Sequence, residues 1–362
     1  MSDSVAEPQA EILFERRGHL GVVILNRPKA GNALNVAMTE AMLGQLQLWA
    51  VDDAVQTVLV YGNGDRGLCA GGDITAIYND IPAGGAETAN FWQIEYQLNA
   101  LISHYPKPYV PFMDGLVLGG GVGISAHGNV RVVTERTRCG MPETTIGFVP
   151  DVGGTLLLSR APGETGTHAA LTGAHLTGSD ALFLGLADHF VRSENLPALA
   201  AALENEAAAE AVGRFSEPAQ ASELAAQQDW IDAAYASDDA EQIVRNLREI
   251  GSEFVVTIEA KSPTAVKVTL ASLRRAAKLA TLEEVLSQEY RVGLRFVTGT
   301  EMREGVRAQV IDKDRNPQWN PATLAEVSVA DVEKYFEPLN TLPESKRELG
   351  LQSLDLQRED AS

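Results

Sequence analysis

The spacing of apolar residues changes along this chain, and each change marks an element. Over residues 11 to 26, Ile12 and Phe14 alternate with polar neighbours, Gly18 supplies a turn, and Val22, Val23, Ile24 and Leu25 run together. That pattern predicts a hairpin whose second strand is the more buried. Met42, Leu46 and Trp49 then fall at helical spacing, with Asp52 and Asp53 near the helix end. Thr57 to Tyr61, Pro108 to Met113 and Asn129 to Thr134 read as buried strands with helical sequence between them. Strand and helix in alternation predict an α/β domain.

Past residue 195 the pattern turns wholly helical. Leu196 to Ala240 is rich in alanine and acid, with no strand signal; the alanines suit helix propensity and close packing. Ser262 and Pro263 supply an N-cap and a first-turn proline ahead of Val266, Leu270, Leu273 and Ala277, which share one face. Thr281 and Glu284 form a capping box for the next helix. The expected organisation is a core over 11–195, a helical region over 196–342, and flexible tails at 1–10 and 343–362.

Composition narrows the class. The 362 residues are 45% hydrophobic and 22% charged, as in an ordinary globular protein long enough for a large core. A net charge of −20 excludes nucleic acid and anionic membranes as general partners. Two cysteines, Cys69 and Cys139, stand outside any zinc or disulfide spacing. MSDSVAEPQA at the N-terminus shows no export or import pattern, so a cytoplasmic location is expected. The uncharged run from Gly115 to Ala126 is too short to span a bilayer and reads as a buried loop and helix start.

Candidate chemistry concentrates in Met141 to Gly154, where Glu143 and Asp151 stand eight residues apart. On one straight helix they would lie about 12 Å apart along the axis. Gly147 and Pro150 argue instead for a chain reversal that turns both acids into one pocket. Upstream, the run Gly115-Leu-Val-Leu-Gly-Gly-Gly-Val-Gly123 lets a ligand approach backbone N–H groups. Acids beside exposed donors suggest acyl transfer.

Three runs in order, LCAGGDI (68 to 74), GLVLGGGVG (115 to 123) and MPETTIGFVPDVGG (141 to 154), resemble the crotonase, or enoyl-CoA hydratase/isomerase, superfamily. Within it the chain is most similar to the 3-hydroxyisobutyryl-CoA hydrolases, from about Glu11 to Leu339. That similarity includes SPTAVKVTL (262 to 270), QEYRVG (288 to 293) and EGVRAQVIDKDRNPQWNP (304 to 321). The resemblance implies a spiral of ββα units with a helical C-terminal region, and an acyl-CoA substrate cleaved as a step of valine breakdown. It implies Gly72 and Gly120 as oxyanion donors and Glu143 as the catalytic glutamate. At Asp151 the hydrolase branch carries an aspartate where hydratases commonly have glycine. Glu95 matches a substrate-contacting glutamate of that branch; a solvated helix face is its competing reading. Asp151 is also suited to capping a helix from Val152 to Ala161. For Glu143 two roles stay open, attack on the acyl carbon or general base on water. The superfamily's trimer-based assemblies make a homo-oligomer an expectation.

One departure separates the subfamilies. Hydratases carry a second glutamate two residues past the triple glycine, and here that position is Gly123. Weak or absent hydratase activity follows. Coenzyme A is part of the substrate, and no further cofactor and no metal is expected. Its phosphates call for a local cationic patch: Arg27 and Lys29 by resemblance, with Lys261, Lys267, Arg274 and Lys278 as additions unless they are solvated helix faces. Gly62 to Gly67 matches a dinucleotide fingerprint, but no long helix opens after it. His127 reads as a packed helix-end histidine.

Overall fold

The structure, a computed structural model, describes residues 10–339 together with Leu349 and Leu351. The two tails expected to be flexible therefore lie almost wholly outside the described residues. The hairpin forms as expected from β1 (Ile12–Arg17) and β2 (Leu20–Leu25), antiparallel with Ile12 opposite Leu25. After α1 (Val36–Val51), β3 (Thr57–Gly62) adds to β2 in parallel. Two helices follow, α2 (Ile74–Asp80) and α3 (Ala86–Ser103), then β4 (Tyr109–Met113) beside β3.

Beyond β4 each pass of the chain contributes two short strands. β5 (Leu116–Leu118) leads into α4 (Gly120–Gly123); β6 (Val132–Val133) pairs with β4, and β7 (Arg138–Gly140) pairs with β5. Helices α5 (Gly154–Ser159), α6 (Thr165–Thr172) and α7 (Gly178–Phe183) come before β8 (His189–Phe190), which closes the large sheet in the order β1-β2-β3-β4-β6-β8. A second ladder runs alongside through Cys69, Val117, Cys139 and Leu176. One strand to each ladder and then a helix, repeated, is the ββα spiral. The strand expected over Asn129 to Thr134 is only two residues long, because Asn129 spends its side chain on Tyr109 N and Thr134 N turns to Thr137 Oγ1.

Alternation along the strands sends residues to two cores. Val23, Leu25, Val58 and Val60 face α1 and α3, whereas Leu20, Val22, Ile24, Leu59, Val110 and Phe112 face the opposite side. The alanine-rich stretch covers that opposite side: Leu199 and Leu203 of α8 (Leu196–Leu203) and Val212 of α9 (Ala208–Phe215) are buried there. Short helices α10 (Glu223–Ala226), α11 (Gln228–Tyr235), α12 (Ala240–Glu249) and α13 (Phe254–Glu259) cross to the other face.

There α14 (Pro263–Ala276) packs on α5 and α6, and α15 (Leu282–Thr298) on α3 and α5. Ser262 caps α14 through Ala265 N, and Thr281 with Glu284 caps α15. Ala277 is exposed beyond the end of α14, and Ala276 takes the buried position. Last come α16 (Glu301–Val306) and α17 (Val329–Lys334). Among the described residues no helix is long and apolar enough to cross a membrane.

Candidate active site

The reversal expected between Glu143 and Asp151 is present. A 3-10 turn over Glu143–Ile146 ends at Gly147, whose φ of 68° is left-handed, and Phe148 N returns to Glu143 O. Both acids, with Gly72, Gly120 and Glu95, line one cavity of about 220 Å³. Trp92 stacks on Phe148 at 5.3 Å between ring centres and forms an apolar wall, and Met302 of α16 also lines the cavity. Glu95 is 2% exposed, so the solvated-face reading of that residue fails: α3 turns it inward beside Tyr96.

Among the described residues Gly72 N and Gly120 N make no backbone hydrogen bond. Gly120 opens α4, where no acceptor lies one turn back. At Gly72 the neighbouring bonds, Leu34 N to Gly71 O and Asp73 N to Leu34 O, pass it by. The two turns adjoin, since a Cβ placed on Gly120 would lie 3.5 Å from Gly71 C. Side chains at these glycines would crowd the buried carboxylates. A Cβ on Gly119 would meet Glu143 Oε1 at 2.7 Å, and one on Gly120 would meet Glu95 Oε1 at 2.6 Å. An oxyanion hole is built from such open donors.

Glu95, Glu143 and Asp151 line the cavity with no lysine or arginine among them. Burial, then the charge of Asp151, raises Glu143 well above the usual carboxylate range, and Glu95 likewise. Asp151 is pushed up to about 7 by burial, and the hydrogen bond from Tyr96 Oη to its Oδ2, 2.7 Å long, holds it from going higher. Glu143 Oε2 and Glu95 Oε1 are buried without a hydrogen-bond partner. An unpartnered carboxyl oxygen in the same cavity as these glycines is available to a reacting atom.

Asp151 does not cap the next helix, contrary to expectation. Helix α5 starts at Gly154 rather than Val152, because the chain first turns through Val152 and Gly153, both at positive φ. The cap comes from α15: Glu289 Oε2 accepts from Gly153 N at 2.7 Å, and its Oε1 accepts from Thr155 N at 3.0 Å. Burial pushes Glu289 up to about 8. Glu289 and Tyr96 are the two residues that sequence reasoning misses. Glu289 lies inside the QEYRVG run, but no local pattern connects it with a turn more than 130 residues upstream.

Of the expected cationic residues, Arg27 is already occupied. Its nitrogens reach Asp73 Oδ2 at 2.9 Å, Glu11 Oε1 at 3.0 Å and Ala33 O at 2.7 Å, which ties the loop after β2 to the start of α2. A guanidinium held by two carboxylates has little left for a phosphate. Lys29, nearby, is exposed. Lys267 bonds Glu241 and Val327 O, and Arg274 bonds Glu164 and Asp238, so both serve packing within the helical region. Lys261 donates to Thr145 Oγ1 at 2.6 Å, and Lys278 is exposed. His127 Nε2 meets Val152 O at 2.7 Å, a packing contact as expected.

A family model described as enoyl-CoA hydratase/isomerase matches residues 20–336. Among curated relatives, 3-hydroxyisobutyryl-CoA hydrolase, mitochondrial, of Xenopus tropicalis is 41% identical over 91% of this chain and 89% of its own. The human protein of the same name is 38% identical over 91% and 89%. Among solved structures, a carnitinyl-CoA dehydratase from Mycobacterium thermoresistibile superposes with a TM-score of 0.91 at 48% identity, over 95% of this chain and all of that one. An enoyl-CoA hydratase from Rhodobacter sphaeroides gives 0.86 at 37%, over 94% and 99%. With the family model across most of the chain, these relatives and the ββα spiral in agreement, the chain belongs to the enoyl-CoA hydratase/isomerase family of the crotonase superfamily.

Proposed function

We propose that the chain is an acyl-CoA thioester hydrolase that cleaves 3-hydroxyisobutyryl-CoA to 3-hydroxyisobutyrate and coenzyme A, a step of valine breakdown. The observation that carries this reading is the unpartnered, buried oxygen of Glu143 beside the open N–H groups of Gly72 and Gly120, with no room for a second acid at Gly123. The thioester oxygen takes the two N–H groups, which stabilise the charge that grows on it. Glu143 then either attacks the acyl carbon, giving an anhydride that water opens to return the glutamate, or draws a proton from the water that attacks. In both routes the C–S bond breaks, sulfur leaves as thiolate, and water supplies the new acid's oxygen. Burial raises all three carboxyls and the charge of Asp151 raises Glu143 and Glu95 further, so the cluster keeps a proton near neutrality, and Asp151, at about 7, is suited to pass one to sulfur. We assign Glu95 to contact with the substrate. Exposed Lys29 is the basic residue we assign to the coenzyme A phosphates.

The dehydratase and hydratase names of the two solved structures favour a second reading, addition or removal of water across a double bond. Against it stands Gly123, where an added Cβ would lie 2.7 Å from Val152 Cβ and 2.9 Å from Asn99 Nδ2. The curated relatives are mitochondrial by name, and the buried free thiols of Cys69 and Cys139 suit any reducing compartment. The test is a panel of short acyl-CoAs assayed in parallel for free thiol and for loss of the enoyl double bond. Thiol release from 3-hydroxyisobutyryl-CoA far faster than hydration of crotonyl-CoA is expected; rapid hydration without thiol release overturns the proposal.

A further inference from the structure

Among the described residues Val152 is the one β-branched residue of four non-glycine positions held at positive φ, at 51°, a conformation such side chains adopt only when their surroundings impose it. The imposing contacts come from distant parts of the chain. Glu289 on α15 binds Gly153 N with one oxygen, and with the other both Thr155 N and Thr155 Oγ1. Between those amides, Gly154 N bonds Asp151 O at 2.6 Å. From the other side His127 meets Val152 O; a carbonyl only accepts, so Nε2 carries the proton, as suits a histidine lowered to about 4 by burial. Helix α15 also sets Tyr290 edge-on against Tyr96, 6.3 Å between ring centres, and Tyr96 is the residue that bonds the Asp151 side chain.

Asp151 is thus fixed at both ends, its backbone through Glu289 and its carboxylate through Tyr96. Glu289 is 1% exposed, and no lysine or arginine among the described residues bonds it. Burying an unpaired carboxylate is costly, and its chemistry explains why it is there. Three donors converge on its two oxygens, and a carboxyl group, ionised or protonated, keeps an accepting lone pair on each. Glutamine in its place would turn one acceptor into a donor facing N–H.

We propose that Glu289, with His127 opposite, is a positioning residue that clamps the strained Val152–Gly153 corner and thereby sets Asp151 for reaction. The proposal rests on Asp151 taking part in thioester cleavage, so its test also reads the corner without using turnover. Glu289→Gln, His127→Phe and Asp151→Asn are compared with the parent protein for melting temperature, kcat and KM of thiol release, and backbone hydrogen exchange over residues 151–157. For Glu289→Gln the expected result is a folded protein whose kcat falls at least about tenfold, on the scale known for small misplacements of reacting groups. Its KM should stay nearly unchanged, and the amides of Gly153 and Thr155 should exchange faster. His127→Phe should show the same pattern more weakly, and it carries the test if Glu289→Gln does not fold. Parental kcat in folded Glu289→Gln overturns the proposal. So does a fall in kcat with corner exchange unchanged, which would make Glu289 act by charge alone. Full activity in Asp151→Asn would instead defeat the role given to Asp151, while the exchange data would still judge the clamp.

Discussion

Glu143 and Glu95 each keep one buried carboxyl oxygen without a partner, in a cavity whose lining holds no cation. Such groups cost stability and persist where reaction needs them. The close approach of Glu95 to Gly120 gives the sharpest test of the glycine turn. In Gly120→Val the new Cβ would fall 2.6 Å from Glu95 Oε1 and 3.4 Å from Leu34 Cδ1, crowding the thioester oxygen. Turnover should drop by at least about a hundredfold, the scale of losing one oxyanion donor, and steady-state thiol release on folded protein checks it. At this scale much was legible. Glu143 and Asp151 lie in one short run whose glycine and proline argue for a reversal, while Gly72 and Gly120 stood out through the resemblance of their runs to the crotonase superfamily. The capping role of Asp151 was misread because the cap is supplied by Glu289, and an acceptor brought by tertiary packing leaves no mark beside the helix it caps.

Helix boundaries follow the same logic. The Thr281 and Glu284 box was readable because both partners are local: Glu284 N bonds Thr281 Oγ1, and Glu284 Oε2 accepts from Thr281 N. Thr281→Ala should cost about 1 kcal/mol, typical of an N-cap, seen in denaturant unfolding with kcat little altered. The second ladder was not legible, because its two strands are three residues long and Cys69 and Leu176 join it only as single bridges. Periodicity needs several residues to register, and the ladder offers too few in any one pass.

Across the whole molecule, the helical sequence past residue 195 divides between two jobs. Its first part covers the outer face of the sheet, while α14 and α15 pack on α3, α5 and α6 behind the cavity and α16 lends it Met302. Composition showed helices and not their destinations, since an alanine-rich helix fits either surface. Leu203 is fully buried on the outer face, so Leu203→Ala should lower stability by about 2–5 kcal/mol and leave kcat nearly intact, measured by urea unfolding beside thiol release. Stability should also depend on pH. Asp151, raised from 3.8 to about 7, and Glu289, raised from 4.5 to about 8, favour the protonated form when folded. Their contribution is complete below the unfolded values and lost as pH rises through the folded ones. His127 and His168, lowered from 6.5 to about 4, act oppositely and only below 6.5. Melting temperature should therefore fall between pH 6.5 and 8.5, and less steeply in Asp151→Asn; a flat profile across that window contradicts the raised values.

The most direct test of the central claim is single-turnover cleavage of 3-hydroxyisobutyryl-CoA by the parent protein and by Glu143→Gln, read as thiol release alongside melting temperature. An amide of the same shape neither attacks nor accepts a proton at neutral pH, so the account predicts cleavage nearly abolished with unaltered melting. Cleavage at the parental rate by folded Glu143→Gln would contradict it.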